Sequence, residues 1–409
     1  MTRSPGANGD GPLSAYDLDS LRERRSVKWA TYPPDVLPMW VAEMDTPLAE
    51  PIASALTAAI RRGDTGYAAA GRLPEVYAEF ASRRYGWRPD PAGMRLVADV
   101  MSGVVEAMLL TTTRGDRVVV NTPAYPPFFV WLDRIGRHIV ESPLALGESG
   151  YRLDFDRLER DFAAGAEAYL LCSPHNPTGL VFGEEELATV AGLADRYGVR
   201  VIADEIHAPL TYPEARHVPF ASLDTAASAR AITLVSATKA WNLPGLKTAL
   251  AVPGPETPTE LARIPEEVSV RAGLLGVLAS EAAFAEGEPW LAGLMAGLDA
   301  NRRLLGEALV DKVPAIRWYR PQATYLAWLD CRALALGADP AEVFLERGRV
   351  ALSPGPRFGA AGQGFARLNF ATAPERVAEA VDRIAAALQT TEFPRNVPND
   401  GGLGDRKRG

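Results

Sequence analysis

A chain of 409 residues with a net charge of −8 offers no cationic face for a phosphate backbone, which argues against nucleic acid as the main partner. Hydrophobic residues at 47% and charged residues at 23% are the balance of a soluble globular protein, and no apolar run approaches the roughly 18 residues that span a bilayer. The opening segment MTRSPGANGDGPLS lacks the apolar stretch of a secretory signal, so a cytoplasmic location is expected.

Residues 1–15 and 391–409 are polar and rich in Gly and Pro, and both ends are expected to be disordered. RLVADV reads as a strand that ends at a turn, MSG, with a helix beginning at about Val104. The clearest unit runs from Ala168 to Ile206. AYLLCSP is a buried strand, HNPTGLVF a loop, and GEEELATVAGLADRYG a helix with Leu187, Val190, Ala191 and Ala194 on one face. Glu184, Glu185 and Glu186 suit the positive end of that helix dipole, and Gly198 is a natural stop. VRVIADEI is the next strand, so the unit predicts a parallel crossover. AITLVSA leads as a strand into TKAWNLPG, and KTALAVPG follows as another.

After Pro289 the pattern changes to a long helix, WLAGLMAGLDANRRLLGEAL. The strand TYLAWLD, a helix near Ala341–Arg347, a Gly-rich loop and a helix near Ala373–Leu388 come after it. The expected fold class is α/β: a mostly parallel central sheet with helices on both faces, plus a smaller α+β C-terminal domain. The expected divisions are an arm at 16–50, a large domain at 51–289 and a small domain at 290–390.

In open α/β sheets ligands bind beyond the carboxyl ends of the strands. Asn176 follows one strand, Asp204 ends the next, Lys239 follows another, and Ser102 and Gly103 follow an earlier one. A pyridoxal-5′-phosphate (PLP) site needs four things. Lys239 is a candidate for the covalent link to the aldehyde, and Asp204 for the carboxylate beside the pyridine nitrogen, which keeps the ring an electron sink. Asn176 and His207 fall where donors to the phenolic oxygen would be. Ser102, Gly103, Val104, Ser236, Thr238 and Lys247 offer an anion cradle.

Plainer readings stand beside each of these. A lone lysine after a strand is usually a surface residue, Asn-Pro-Thr-Gly is by itself a good turn, and Ser-Gly before a helix is usually a cap. Their joint occurrence at neighbouring strand ends favours the site. Tyr125, in NTPAYPPF, suits either a ring-stacking or a core role. Arg367, in FARLNF, suits either a grip on a substrate carboxylate or a structural ion pair. GAAGQG, at Gly359–Gly364, lacks dinucleotide-loop spacing and reads as a turn. Cys172 and Cys331 lie in apolar runs and read as buried thiols, and the four scattered histidines give no metal motif.

Taken in order, LPMWVAEMD, DTGY, NTPAYPPF, LLCSPHNPTG, VIADEIH, SATKAWNLPGLK, PQATYLAWLD and GFARLNF resemble the fold-type I PLP enzymes of the class I/II aminotransferase superfamily. Within it they are most similar to the MalY/PatB-type cystathionine β-lyases. The likeness covers roughly Tyr32 to Leu388. The resemblance implies a homodimer with the active site at the subunit interface, acting on a small amino acid by α,β-elimination from a cysteine thioether to a thiol, pyruvate and ammonia. It implies Lys239 as cofactor lysine and general base, Asp204 at the pyridine nitrogen, and Asn176 and His207 on the phenolic-oxygen side. Tyr125 would stack on the ring, Arg367 would bind the α-carboxylate, and Tyr67 would reach the phosphate from the partner chain. Glu43 stands where the branch commonly has aspartate, Thr238 where serine is usual, and VMSGVVEAM departs from the usual context of its loop.

The alternatives are an aminotransferase, a specialised lyase or deaminase acting on a bulky S-cysteine conjugate, and a non-catalytic PLP-binding effector domain. The last carries a helix-turn-helix region before the domain, and the roughly thirty residues ahead of the matched region are too few for one.

Overall fold

The computed structural model describes residues 11–389. The expected disordered tail at 391–409 and most of the expected disordered start lie outside the described residues. Residues 11–15 do not follow that expectation. Pro12–Ser14 form a single turn whose Leu13 is buried, and Leu13 sits against Gly297 of the long helix. One apolar side chain with a surface to cover overrides the polar composition around it.

The large sheet has seven strands: β1 (Arg95–Val97), β2 (Arg117–Thr122), β3 (His138–Pro143), β4 (Ala168–Cys172), β5 (Arg200–Asp204), β6 (Ile232–Val235) and β7 (Ala249–Pro253). Their spatial order is β1-β7-β6-β5-β4-β2-β3. The run β3, β2, β4, β5, β6 is parallel, while β7 is antiparallel to both β6 and β1. Two reversals leave β1 pointing the same way as β6. The carboxyl ends of β1, β2, β4, β5 and β6 therefore share one edge of the sheet.

Parallel strands buried on both faces read as continuous apolar runs, and β4 and β6 are buried throughout. Alternate residues face opposite ways. Val118, Val120, Leu170, Ile202 and Leu234 pack against Val104, Met108, Phe128 and Leu132. Val119, Tyr169, Leu171 and Val201 pack against Leu158, Phe162, Leu187 and Val190. The helix between β4 and β5 spans Glu184–Tyr197, begins at Gly183 and ends at a left-handed Gly198, as its sequence predicts.

A second sheet is antiparallel: β8 (Arg317–Trp318), β9 (Leu326–Asp330), β10 (Ser353–Pro354) and β11 (Phe365–Asn369), in the order β8-β9-β11-β10. The 25-residue helix Glu288–Lys312 leads into it and packs on the helix Pro374–Gln389. Leu37–Pro38 of the N-terminal segment pairs in parallel with Val350–Ala351.

In the large sheet the sequence reading misplaces one boundary and omits two strands. The helix after β1 starts at Val100 rather than at about Val104, because Asp99 caps it and accepts the Ser102 amide at 2.8 Å. Strands β2 and β3, RVVVNT and HIVESP, complete the edge that the sequence reading does not place.

Candidate active site

The carboxyl edge of the large sheet, the segment 40–45 and β11 enclose a cavity of about 190 Å³. Its lining brings together Asp99, Val100 and Met101 after β1, Tyr125 after β2 and Asn176 after β4. Asp204 and His207 come from the end of β5, Thr238, Lys239 and Lys247 from beyond β6, and Arg367 from β11. A larger groove of about 540 Å³ runs past Tyr85, Tyr212 and His217, but holds none of the residues singled out from the sequence.

Lys239 Nζ donates to the Ala42 carbonyl at 3.0 Å and forms no ion pair with a described residue. Burial disfavours its charge, nearby Arg367 adds to that, and its pKa falls to about 8. Asp204 is 4% exposed, and among the described residues its carboxylate accepts only the Ile206 amide, at 3.1 Å. Burial, reinforced by Glu205, raises its carboxyl to about 7 against the pull of Ile206 and Lys239. His207 is buried with Nδ1 unpartnered, and burial beside Lys239 and Arg367 lowers it to about 3, so the ring is neutral near pH 7.

Arg367 is buried among neutral acceptors: Asn176 Oδ1 at 3.0 Å, the Trp40 carbonyl at 3.1 Å and Ser353 Oγ at 3.2 Å. Its Nε has no partner among the described residues, and desolvation draws the guanidinium down to about 10. The structural ion pair weighed from the sequence is absent among the described residues.

Segment 40–45 is held over Lys239 from three directions. Asn242 makes two 2.8 Å bonds to the Met44 backbone, Asn369 Nδ2 donates to the Val41 and Glu43 carbonyls at 2.7 Å, and a buried Lys28–Asp45 pair closes at 2.8 Å. Tyr325 Oη shares the Ala42 carbonyl with Lys239, at 3.1 Å. Neither Asn242, Asn369 nor Tyr325 is singled out by the sequence. The residue types are unremarkable, and their meaning comes from segments hundreds of positions apart.

The expected anion cradle needs correction at one end. Val104 is fully buried in the core, and a Cβ built on Gly103 would lie 2.3 Å from Leu234 Cδ1, so both face the sheet rather than the cavity. Ser102 is engaged with Asp99. The cavity is instead lined by Val100 and Met101, whose amides open the helix and have no intrahelical acceptor. An aspartate followed three residues later by serine, in ADVMS, is the signal that could have located the cap. At the other end Ser236 Oγ bonds Thr238 Oγ1 at 2.9 Å and the Thr248 carbonyl at 2.6 Å, and Lys247 Nζ meets Asp99 Oδ2 at 3.0 Å. Tyr67 is 88% exposed and does not line the cavity of its own chain. Cys172 lines the cavity as a free thiol raised by burial, and Cys331 is free and buried as well.

These groups fit PLP. A buried acid without a cation matches a pyridinium, a buried guanidinium without a carboxylate matches an amino acid, and an amine poised near neutral pH matches an aldehyde. The class defined by this sheet edge and this set of side chains is an α/β enzyme that depends on PLP.

The chain belongs to the family described as aminotransferase class I and II, which it matches over residues 47–384. A Mycobacterium leprae relative is 46% identical over 399 residues, covering 92% of this chain and 98% of that protein. The cystathionine beta-lyase of Corynebacterium glutamicum is 36% identical, covering 91% and 99%. The solved structure of the PLP-bound C-S lyase from Staphylococcus hominis superposes with a TM-score of 0.85 at 27% identity, covering 92% of this chain and all of that one.

Proposed function

We propose that this protein is a PLP-dependent C–S β-lyase, cleaving an L-cysteine thioether of the cystathionine type to a thiol, pyruvate and ammonia. The observation that carries the reading is the meeting of Lys239, Asp204, Asn176 and Arg367 in one buried cavity. PLP, when bound, supplies an electron sink that makes the substrate's Cα proton removable.

The chain's own residues then divide the work. Arg367 grips the α-carboxylate with Asn176 beside it, replacing its neutral acceptors by the anion that its burial calls for. Lys239, with its amine depressed to about 8, takes the Cα proton near neutral pH. Asp204 would hold a proton at the ring nitrogen, and the charge there would relieve its own desolvation. His207 and Asn176 would serve the phenolic-oxygen side, and Tyr125 would stack on the ring. The amides of Val100 and Met101, with Thr238, Lys247 and Ser236 behind them, would hold the phosphate. The pinned segment 40–45 keeps water from the Cα side. A homodimer in which Tyr67 of each chain reaches the partner's phosphate accords with that residue's exposure. The arm at 16–50, the large domain at 51–289 and the small domain at 290–390 are the divisions this reading uses; pairing of Leu37–Pro38 with Val350–Ala351 supports the arm's place beside the small domain.

The family also favours a second reading, an aminotransferase, which uses the same lysine and differs in where Lys239 returns the proton. Pyruvate release from cystathionine, without any keto-acid acceptor, tests the lyase. Strict dependence on an acceptor, with no thiol released, replaces it by the transaminase.

A further inference from the structure

One end of the cavity is already served by an anion of the chain itself. Asp99 Oδ1 accepts the Ser102 amide at 2.8 Å and Ser102 Oγ at 2.9 Å, and its Oδ2 takes Lys247 Nζ at 3.0 Å. Asp99 lines the cavity together with Val100, Met101 and Lys247. Burial alone would push its carboxyl up, but the hydrogen bonds from Ser102 and Lys247 outweigh that and hold it below the ordinary carboxylate range. A carboxylate thus stands at the helix start and on the one lysine that the proposed function gives to the phosphate.

Capping does not require this charge, because Asn and Ser cap a helix as well as Asp does. A lysine at a helix start is also at the unfavourable end of the dipole, unless an anion is there to meet it.

We infer that Asp99 sets how tightly the chain holds its phosphate ester, acting as an internal anion beside the first helical turn that competes with the phosphate for Lys247. The inference rests on the lyase reading and deepens it, since it concerns how readily the cofactor exchanges rather than what reaction follows. A phosphate entering beside a carboxylate in partly buried surroundings loses about tenfold in affinity, even after screening. Asp99 is a positioning residue in this sense. It acts on the phosphate through charge and through Lys247.

The test is equilibrium binding to the apoprotein. Wild type, Asp99→Asn and Asp99→Ser are titrated with PLP and, separately, with pyridoxal, which lacks the phosphate, following the visible absorbance of the lysine-linked form. The expected result is a Kd for PLP about tenfold lower in both variants, with pyridoxal binding unchanged. Unchanged or weaker PLP binding in a variant with wild-type circular dichroism overturns the inference. Equal tightening of pyridoxal also overturns it, because the effect then does not act through the phosphate. If one variant fails to fold, the other decides. Wild-type apoprotein that takes up neither ligand defeats the lyase reading itself, and this inference with it.

Discussion

Arg302 and Arg367 are both buried guanidiniums, and the fold treats them in opposite ways. Arg302 lies over the Tyr212 ring at 3.7 Å and pairs with Glu214 and Asp299. Burial works against its charge, but those partners outweigh it and raise its pKa. Arg367 also lies over a ring, that of Phe358 at 5.0 Å, but among the described residues its hydrogen bonds go to an amide oxygen, a carbonyl and a hydroxyl and it has no carboxylate, and its pKa falls to about 10. Lys28 and Lys239 repeat the contrast, the first closed on Asp45 at 2.8 Å, the second resting on the Ala42 carbonyl. Where charge serves architecture the chain supplies the counter-charge. At Arg367 and Lys239 it supplies none among the described residues, which accords with the proposed roles of substrate and cofactor there.

The contrast breaks most visibly at Lys239. Lys239→Ala should take up PLP without the visible absorbance of the lysine-linked form and show no turnover. A variant that keeps both removes Lys239 from the chemistry. Asp204→Asn should fold and bind PLP but lose roughly a hundredfold or more in kcat, since a neutral amide cannot hold the ring proton. Steady-state rates on a cysteine thioether measure this.

The two arginines sharpen the comparison directly. Arg367→Met should lower kcat/KM about a hundredfold or more, mainly through KM, while Tm stays level or rises because an uncompensated buried charge is gone. Arg302→Met should cost about 3 kcal/mol of stability, with the kcat of the folded protein retained. Equal losses of Tm in the two variants would erase the distinction.

Cofactor uptake by the apoprotein supplies a pH test. Lys239 is lowered from 10.5 to about 8, so the reactive neutral amine grows as pH rises through 8, and the uptake rate should climb there and then level. A rate still rising in parallel with an ordinary lysine, towards pH 10 or so, contradicts the depressed value. The smallest effect concerns the cradle. Gly103→Ala should lower stability by about 1–3 kcal/mol through the clash with Leu234, and leave the Kd for PLP unchanged, because that residue faces the core.

Much of this was legible from residue order. The unit from β4 to β5 carries its own start, stop and apolar face, and places Asn176 and Asp204 at strand ends without further information. Lys239 and Arg367 were readable for the same reason, each beside or within a strong strand pattern. The helix start after β1 was not. It shifted from about Val104 to Val100, because a single side-chain cap decides where a helix begins and the apolar pattern alone is blind to it. Leu13 was missed because its partner helix lies far along the chain.

The sequence by itself determined the alternation of strands and helices, the chemical types gathered at the sheet edge, and the family to which they point, since these depend on local periodicity and on motifs short enough to read. Only the tertiary structure decided which charges are answered and which are left open. It also decided which face Gly103 turns, and how Asn242 and Asn369 hold segment 40–45 over Lys239 from positions 198 and 326 residues or more away. Burial and electrostatic pairing are properties of neighbours in space, and no local pattern encodes them.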